Sequence, residues 1–174
     1  KDKCLDIYYK TDSIIYLKPV VIFIHGGGWC AGTKSEWTIE HALTLLENNI
    51  LSVSVDYELS RYPSQMNDIS NAVRWVVDNI EKFGGDKNKI FLFGYSAGAH
   101  LSSLLSTDES YLKKKHLNFS YIKGCCAYDG GNYMRQIEYL LGDEIKYTFR
   151  NTFGEDVNSY IKVLPYYQIE RNEK

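Results

Sequence analysis

The sequence predicts an α/β fold, a three-layer αβα sandwich around a mainly parallel sheet. Three observations carry this. Apolar runs of strand length alternate with stretches of helical periodicity along the chain. Those runs are continuously hydrophobic, the pattern of strands covered on both faces. Two of them also lead directly into glycine-rich segments, at Gly26–Gly28 and at Gly94–Gly98.

Leu5 to Tyr9 predicts a short edge strand, and Val20 to Ile24 a buried, β-branched one. A helix is expected from Ser35 to Asn49, with Ile39, Ala42, Leu43 and Leu46 on its apolar stripe. Ile50 to Tyr57 reads as a second buried strand. The clearest helical pattern spans Ser64 to Phe83, where Met66, Ile69, Val73, Val76, Val77 and Ile80 recur at steps of three and four. Gly84-Gly85 ends it. Ile90 to Phe93 is a third buried strand, Ala97 to Leu105 a helix, and Tyr121 to Tyr128 a fourth buried strand. From Asp129 to Lys174 the chain is rich in tyrosine and charge and less regular. No repeat or linker interrupts residues 1–174, which read as one domain.

Composition narrows the function classes. With 174 residues, 44% hydrophobic and 24% charged, the chain has the make-up of a globular protein. A net charge of −2 gives no pull towards nucleic acid or anionic membrane. The single basic run, Lys113-Lys114-Lys115, reads as a solvated loop or helix end. No apolar run approaches the ~18 residues of a membrane span. Lys1-Asp2-Lys3-Cys4 has no signal-peptide core behind it and no initiator methionine. Cys4, Cys30, Cys125 and Cys126 lack metal-ligand spacing. They are expected as buried free thiols, which suggests a reducing, cytoplasmic setting. No metal or cofactor is implied, and nothing in the chain speaks to oligomeric state.

Two motifs carry chemistry. In Gly94-Tyr95-Ser96-Ala97-Gly98, between a strand and a helix, the serine sits on a tight turn that lifts its Oγ clear of the backbone. Glycine two residues to either side relieves the crowding of that turn. Ser96 is therefore the expected nucleophile. About seventy residues earlier, His25-Gly26-Gly27-Gly28-Trp29 ends another strand. Acyl transfer passes through a tetrahedral oxyanion, which preorganised backbone N–H groups stabilise. The amides of Gly27 and Gly28, with that of Ala97, are the expected donors. A phosphate loop would need Gly-Lys-Ser/Thr, which is absent.

With Val55-Asp56-Tyr57, Phe83-Gly84-Gly85-Asp86, Ala99-His100 and Asp129-Gly130-Gly131 added, the chain resembles the α/β-hydrolases from about Leu5 to Ile169. That group includes small-molecule carboxylesterases, arylformamidases (kynurenine formamidases) and the hormone-sensitive-lipase enzymes. The His-Gly-Gly-x-Trp form followed by Gly-x-Ser-Ala-Gly-Ala-His leans towards arylformamidases and short-chain esterases. The resemblance implies an acyl-enzyme hydrolase of small-molecule esters or N-formyl amides. It assigns Ser96 as nucleophile and Gly27, Gly28 and Ala97 as oxyanion donors. Trp29, Tyr95 and residues 130–139 are expected to line the pocket. The sequence departs from the lipase-like branch after Asp56-Tyr57, where Glu58-Leu59-Ser60-Arg61 replaces Arg-Leu-Ala-Pro.

The triad order in these hydrolases is Ser, then Asp/Glu, then His. Only four histidines are available. His25 is expected to brace the glycine loop, His100 to point away from Ser96, His41 to lie on the sheet's flank and His116 to be exposed. Asp129, at a strand's carboxyl end, is a weak candidate acid, while Asp68, Asp78 and Asp86 read as solvated or capping residues. The acid and base are therefore expected beyond Lys174, with the last strands and helices of the fold, in a longer protein of which this is a piece. A non-catalytic ligand-binding protein and a serine peptidase are the alternatives.

Overall fold

The computed structural model describes residues 4–11, 16–130, 143–156 and 160–172. Five strands form one sheet in the order β1-β3-β2-β4-β5: β1 (Leu5–Tyr8), β2 (Lys18–Ile24), β3 (Leu51–Val55), β4 (Gly85–Tyr95) and β5 (Ile122–Tyr128). β1 runs antiparallel to β3, and every other pairing is parallel. The helices are α1 (Ile39–Glu47), α2 (Ser64–Asn79), α3 (Ala97–Thr107), α4 (Ser110–Lys113), α5 (Asp143–Phe153) and α6 (Pro165–Asn172). None is long and apolar enough to cross a membrane.

The sheet is covered on both faces, because successive strand residues point to opposite sides. Val20, Ile22 and Ile24 pack in one large cluster with Ile69, Val73 and Val76 of α2 and Leu101 of α3. Phe23 faces the other way and joins Trp37 and Ala42, with Leu45 of α1 packed alongside. All six apolar positions expected on the long helix are buried, its last turn continuing as a 3₁₀ helix to Phe83.

Three expectations change. The helix expected from Ser35 begins at Ile39, because a 3₁₀ turn capped by Thr33 precedes it and Trp37 leaves the helical path for the core. There Trp37 stacks on Phe23 at 4.9 Å and donates to Ser52 Oγ at 2.9 Å. Consequently α1 is rotated so that Leu45, not Leu43, meets the sheet, and Ile39 and Leu43 are exposed. β5 is not a buried strand. Among the described residues it is the outer strand, paired on one side by β4, and most of its residues are exposed. An apolar run does not distinguish a central strand from an edge one. Cys125 and Cys126 are therefore exposed, as are Cys4 and Cys30, contrary to the expected buried thiols.

The strand order positions the site. The chain leaves β2 for β3 on one side, then crosses back to β4 on the other. The carboxyl ends of β2 and β4 thus border the point where strand order reverses, where a crevice opens in such sheets. Ile24 of β2 is in register with Gly94 of β4. The glycine loop and the Ser96 turn consequently leave the sheet side by side.

Candidate active site

Ser96 joins β4 to α3 with φ 52° and ψ −115°, a conformation costly for a residue with a side chain. Its amide donates to the Tyr128 carbonyl at 2.9 Å, and its carbonyl accepts from the His100 amide at 3.2 Å. Both flanking glycines are required by close approach. A Cβ on Gly94 would lie 2.1 Å from the Gly98 carbonyl oxygen, and one on Gly98 would lie 2.0 Å from that of Ile24. The second contact seats the start of α3 directly on the end of β2.

Gly27 (φ 94°), Gly28 (φ 57°) and Trp29 (φ 63°) follow with three successive positive φ values. This turns the chain back, and the Gly27 carbonyl accepts from the amides of Cys30 and Ala31. The amides of Gly27, Gly28 and Ala97 donate no hydrogen bond among the described residues. Gly27, Gly28, Ser96 and Ala97 line one cleft of about 390 Å³, with Asp129 and Glu144 also on its wall.

Supports for the loop come from β3 and beyond. Tyr57, in the Asp-Tyr pair, places its hydroxyl 3.0 Å and 3.1 Å from the carbonyl oxygens of His25 and Gly26, as a bifurcated donor. Burial pushes its hydroxyl pKa up, so the donor proton is kept. Its ring stacks on His25 with centroids 4.1 Å apart. Asp56 accepts from the Lys34 amide at 2.7 Å, which anchors the far end of the loop.

None of the four histidine rings is hydrogen-bonded to the Ser96 hydroxyl. His25 Nδ1 donates to the Gly26 carbonyl at 2.9 Å, and His41 caps α1 at Thr38. His116 is exposed in the turn after α4. His100 is buried, with Nδ1 accepting from Trp29 Nε1–H at 3.3 Å and Nε2 donating to the Val163 carbonyl at 2.6 Å. Burial lowers its pKa to about 4, against the raising effect of that carbonyl. Both nitrogens are committed, so it has no lone pair to offer Ser96. Asp129 stands at the cleft edge with φ 54°, exposed. Asp68 accepts from the Glu58 amide, Asp86 from the Asn88 amide, and Asp78 pairs with Arg74.

Of the two expected pocket aromatics, one borders the cleft. Trp29 borders the cleft, but its indole is 3% exposed and packs edge-on against Phe149 and Phe153 of α5. Tyr95 is outside the cleft lining, half-exposed beside Tyr128. Of the expected segment 130–139, residues 131–139 lie outside the described residues. The sequence reading missed α5, which brings Thr148 to within 4 Å of a Cβ built on Gly28. The signal available was Phe149 and Phe153, four residues apart on one helical face. No group of three or more potential metal ligands occurs among the described residues.

Residues 5–128 match the BD-FAE family. The chain belongs to that family. Several esterases are similar to this BD-FAE chain. A probable isoprenylcysteine alpha-carbonyl methylesterase of Arabidopsis thaliana is 34% identical over 78% of this chain and 34% of its own length. Esterase LipC of Mycobacterium tuberculosis is 35% identical over 58% of this chain and 26% of its own. The chain thus spans about a third or less of these relatives' length. Among solved structures, an esterase of Thermogutta terrifontis superposes with a TM-score of 0.74 at 21% identity, covering 97% of this chain and 62% of that one. A Rhizomucor miehei esterase gives 0.72 at 25% identity, covering 92% and 53%. The BD-FAE chain has the α/β-hydrolase fold of these enzymes.

Proposed function

We propose that this chain supplies the nucleophile and oxyanion side of a serine esterase acting on small-molecule carboxylic esters. Ser96 Oγ attacks the ester carbonyl and passes its proton to a histidine that these 174 residues do not place at the serine. The amides of Gly27, Gly28 and Ala97 stabilise the tetrahedral oxyanion. Collapse expels the alcohol, and water then releases the acid from the acyl-serine. The observation that carries this reading is the pairing of the strained Ser96 turn with the Gly27 and Gly28 amides in the loop after the adjacent parallel strand, unengaged among the described residues. The esterase names of the relatives support it.

Small acyl groups fit best. The short connection from Tyr57 to Ser64 is tied to α5, where the Tyr62 amide donates to the Thr152 carbonyl at 3.0 Å and the Tyr62 ring meets Phe153. N-formyl amides are the second substrate class the motifs suggest, but the named relatives support esters. A ligand-binding protein without turnover is the second reading, favoured by the commitment of both His100 ring nitrogens to Trp29 and Val163.

The complete protein, assayed with p-nitrophenyl esters of increasing acyl length and an N-formyl aryl amine, separates these readings. Turnover highest for acetyl or butyryl esters and abolished by Ser96→Ala is expected. Ligand binding with no Ser96-dependent hydrolysis would favour the non-catalytic reading, and a preference for long acyl chains would contradict the short-acyl reading.

A further inference from the structure

The two halves of the site are joined by a side-chain bridge that the reaction scheme above does not use. His100 is in the first turn of α3, and its amide holds the Ser96 carbonyl. Its Nδ1 accepts from the indole of Trp29, the residue directly after Gly28 and itself at φ 63°. An indole N–H only donates, so Nδ1 carries no proton, and Nε2 carries the one given to Val163. Every polar atom of the pair is thereby used. Gly27 and Gly28 take positive φ freely, but Trp29 does so at a cost, and strain of this kind persists only where surrounding contacts over-determine it.

We propose that Trp29 and His100 are positioning residues, their hydrogen bond setting the Gly27–Gly28 amides against the Ser96 turn. The proposal rests on the esterase reading of Ser96. Packing alone is a weaker account. The Trp29 ring is already gripped by Phe149 at 5.5 Å and Phe153 at 5.4 Å, whereas the bond to His100 is what links the loop to the nucleophile turn. A displaced oxyanion donor weakens transition-state binding without weakening substrate binding, so the effect belongs in kcat.

The test uses the complete protein, a short-chain ester and an alkyl boronic acid, whose tetrahedral serine adduct places an oxygen where the oxyanion forms. Trp29→Phe keeps an aromatic ring and removes the donor. His100→Leu removes the acceptor, and His100→Asn keeps an acceptor near the Nδ1 position. Trp29→Phe and His100→Leu are each expected to lower kcat roughly 10- to 100-fold, with KM changed less than about threefold. Boronic acid affinity falls in step. His100→Asn recovers most of the His100→Leu loss, and the double variant is no worse than the poorer single one. Melting curves establish folding. Should His100→Leu fail to fold, Trp29→Phe decides alone. A folded Trp29→Phe protein with unchanged kcat and boronic acid affinity overturns the proposal, as does a change confined to KM. Ser96→Ala reports separately on the underlying reading. Turnover surviving that change would overturn the esterase assignment of Ser96 and the proposal with it.

Discussion

A Cβ at Gly98 would stand 2.0 Å from the carbonyl oxygen of Ile24 and 2.5 Å from that of His25. The first turn of α3 therefore rests on the end of β2 with no room for a methyl group. The obstacle is backbone on both sides, which cannot rotate away as a side chain can. Gly98→Ala is expected to cost at least about 1–3 kcal/mol and lower Tm by several degrees, on the order of 5 °C or more. Gly124→Ala is the control. Its Cβ would meet the Phe91 ring at 3.2 Å, an edge that yields, and a melt close to wild type is expected. Equal melts for the two variants would contradict the close seating of α3.

Stability should depend on pH through His100. Its folded pKa is lowered to about 4 by burial, against 6.5 for the free side chain. Between these values the unfolded chain binds more protons than the folded one, so stability rises with pH across the window. The contribution is complete above about pH 6.5 and is lost as pH falls towards 4, with a span on the order of 3 kcal/mol. Trp29, Phe149, Phe153 and the Val163 carbonyl surround the ring, and none of these titrates or carries charge. Denaturant melts of wild type and His100→Asn at pH 4.5 and 7 measure this. The wild type should lose more stability on acidification than the variant, and parallel losses would contradict it.

The glycine loop should answer differently at its two positive-φ glycines. At Gly28 a Cβ finds only Thr148 among the described residues, at 3.9 Å, so alanine meets chiefly backbone strain of about 1–2 kcal/mol. At Gly27 the Cβ would lie 2.3 Å from the Ala31 carbonyl oxygen, inside the turn itself. Gly28→Ala is expected to fold with kcat reduced and Gly27→Ala to lose the turn. Melts and kcat for the pair check this, and a Gly27→Ala protein as stable as Gly28→Ala would refute the turn geometry.

What the sequence disclosed was what local chemistry encodes. Glycines two residues either side of Ser96 announced a turn too tight for side chains, and the clashes at Gly94 and Gly98 are its physical cause. The six apolar positions from Met66 to Ile80 identified a helix and its buried face together. Readings that depended on distant partners fared worse. Trp29 is expected beside the pocket because it follows the glycine run, and it does border the cleft, but the packing of its indole on α5, far along the chain, has no local signal. β5 has the apolar content of a central strand, and only strand order places it outermost among the described residues. His100 was expected to point away from Ser96. Its ring makes no bond to Ser96, only its backbone amide reaching the Ser96 carbonyl, while the ring's link to Trp29 has no signal in spacing.

The central claim is that Ser96 is the nucleophile, and covalent labelling tests it most directly. The complete protein is treated with a fluorophosphonate, digested and mapped by mass spectrometry. An activated serine in an oxyanion site reacts with such a probe, whereas serines without a base do not at neutral pH. The account predicts one adduct, on the peptide carrying Gly94-Tyr95-Ser96-Ala97-Gly98, which Ser96→Ala eliminates. An adduct on another serine, or none on a protein that hydrolyses short-chain esters, would contradict it.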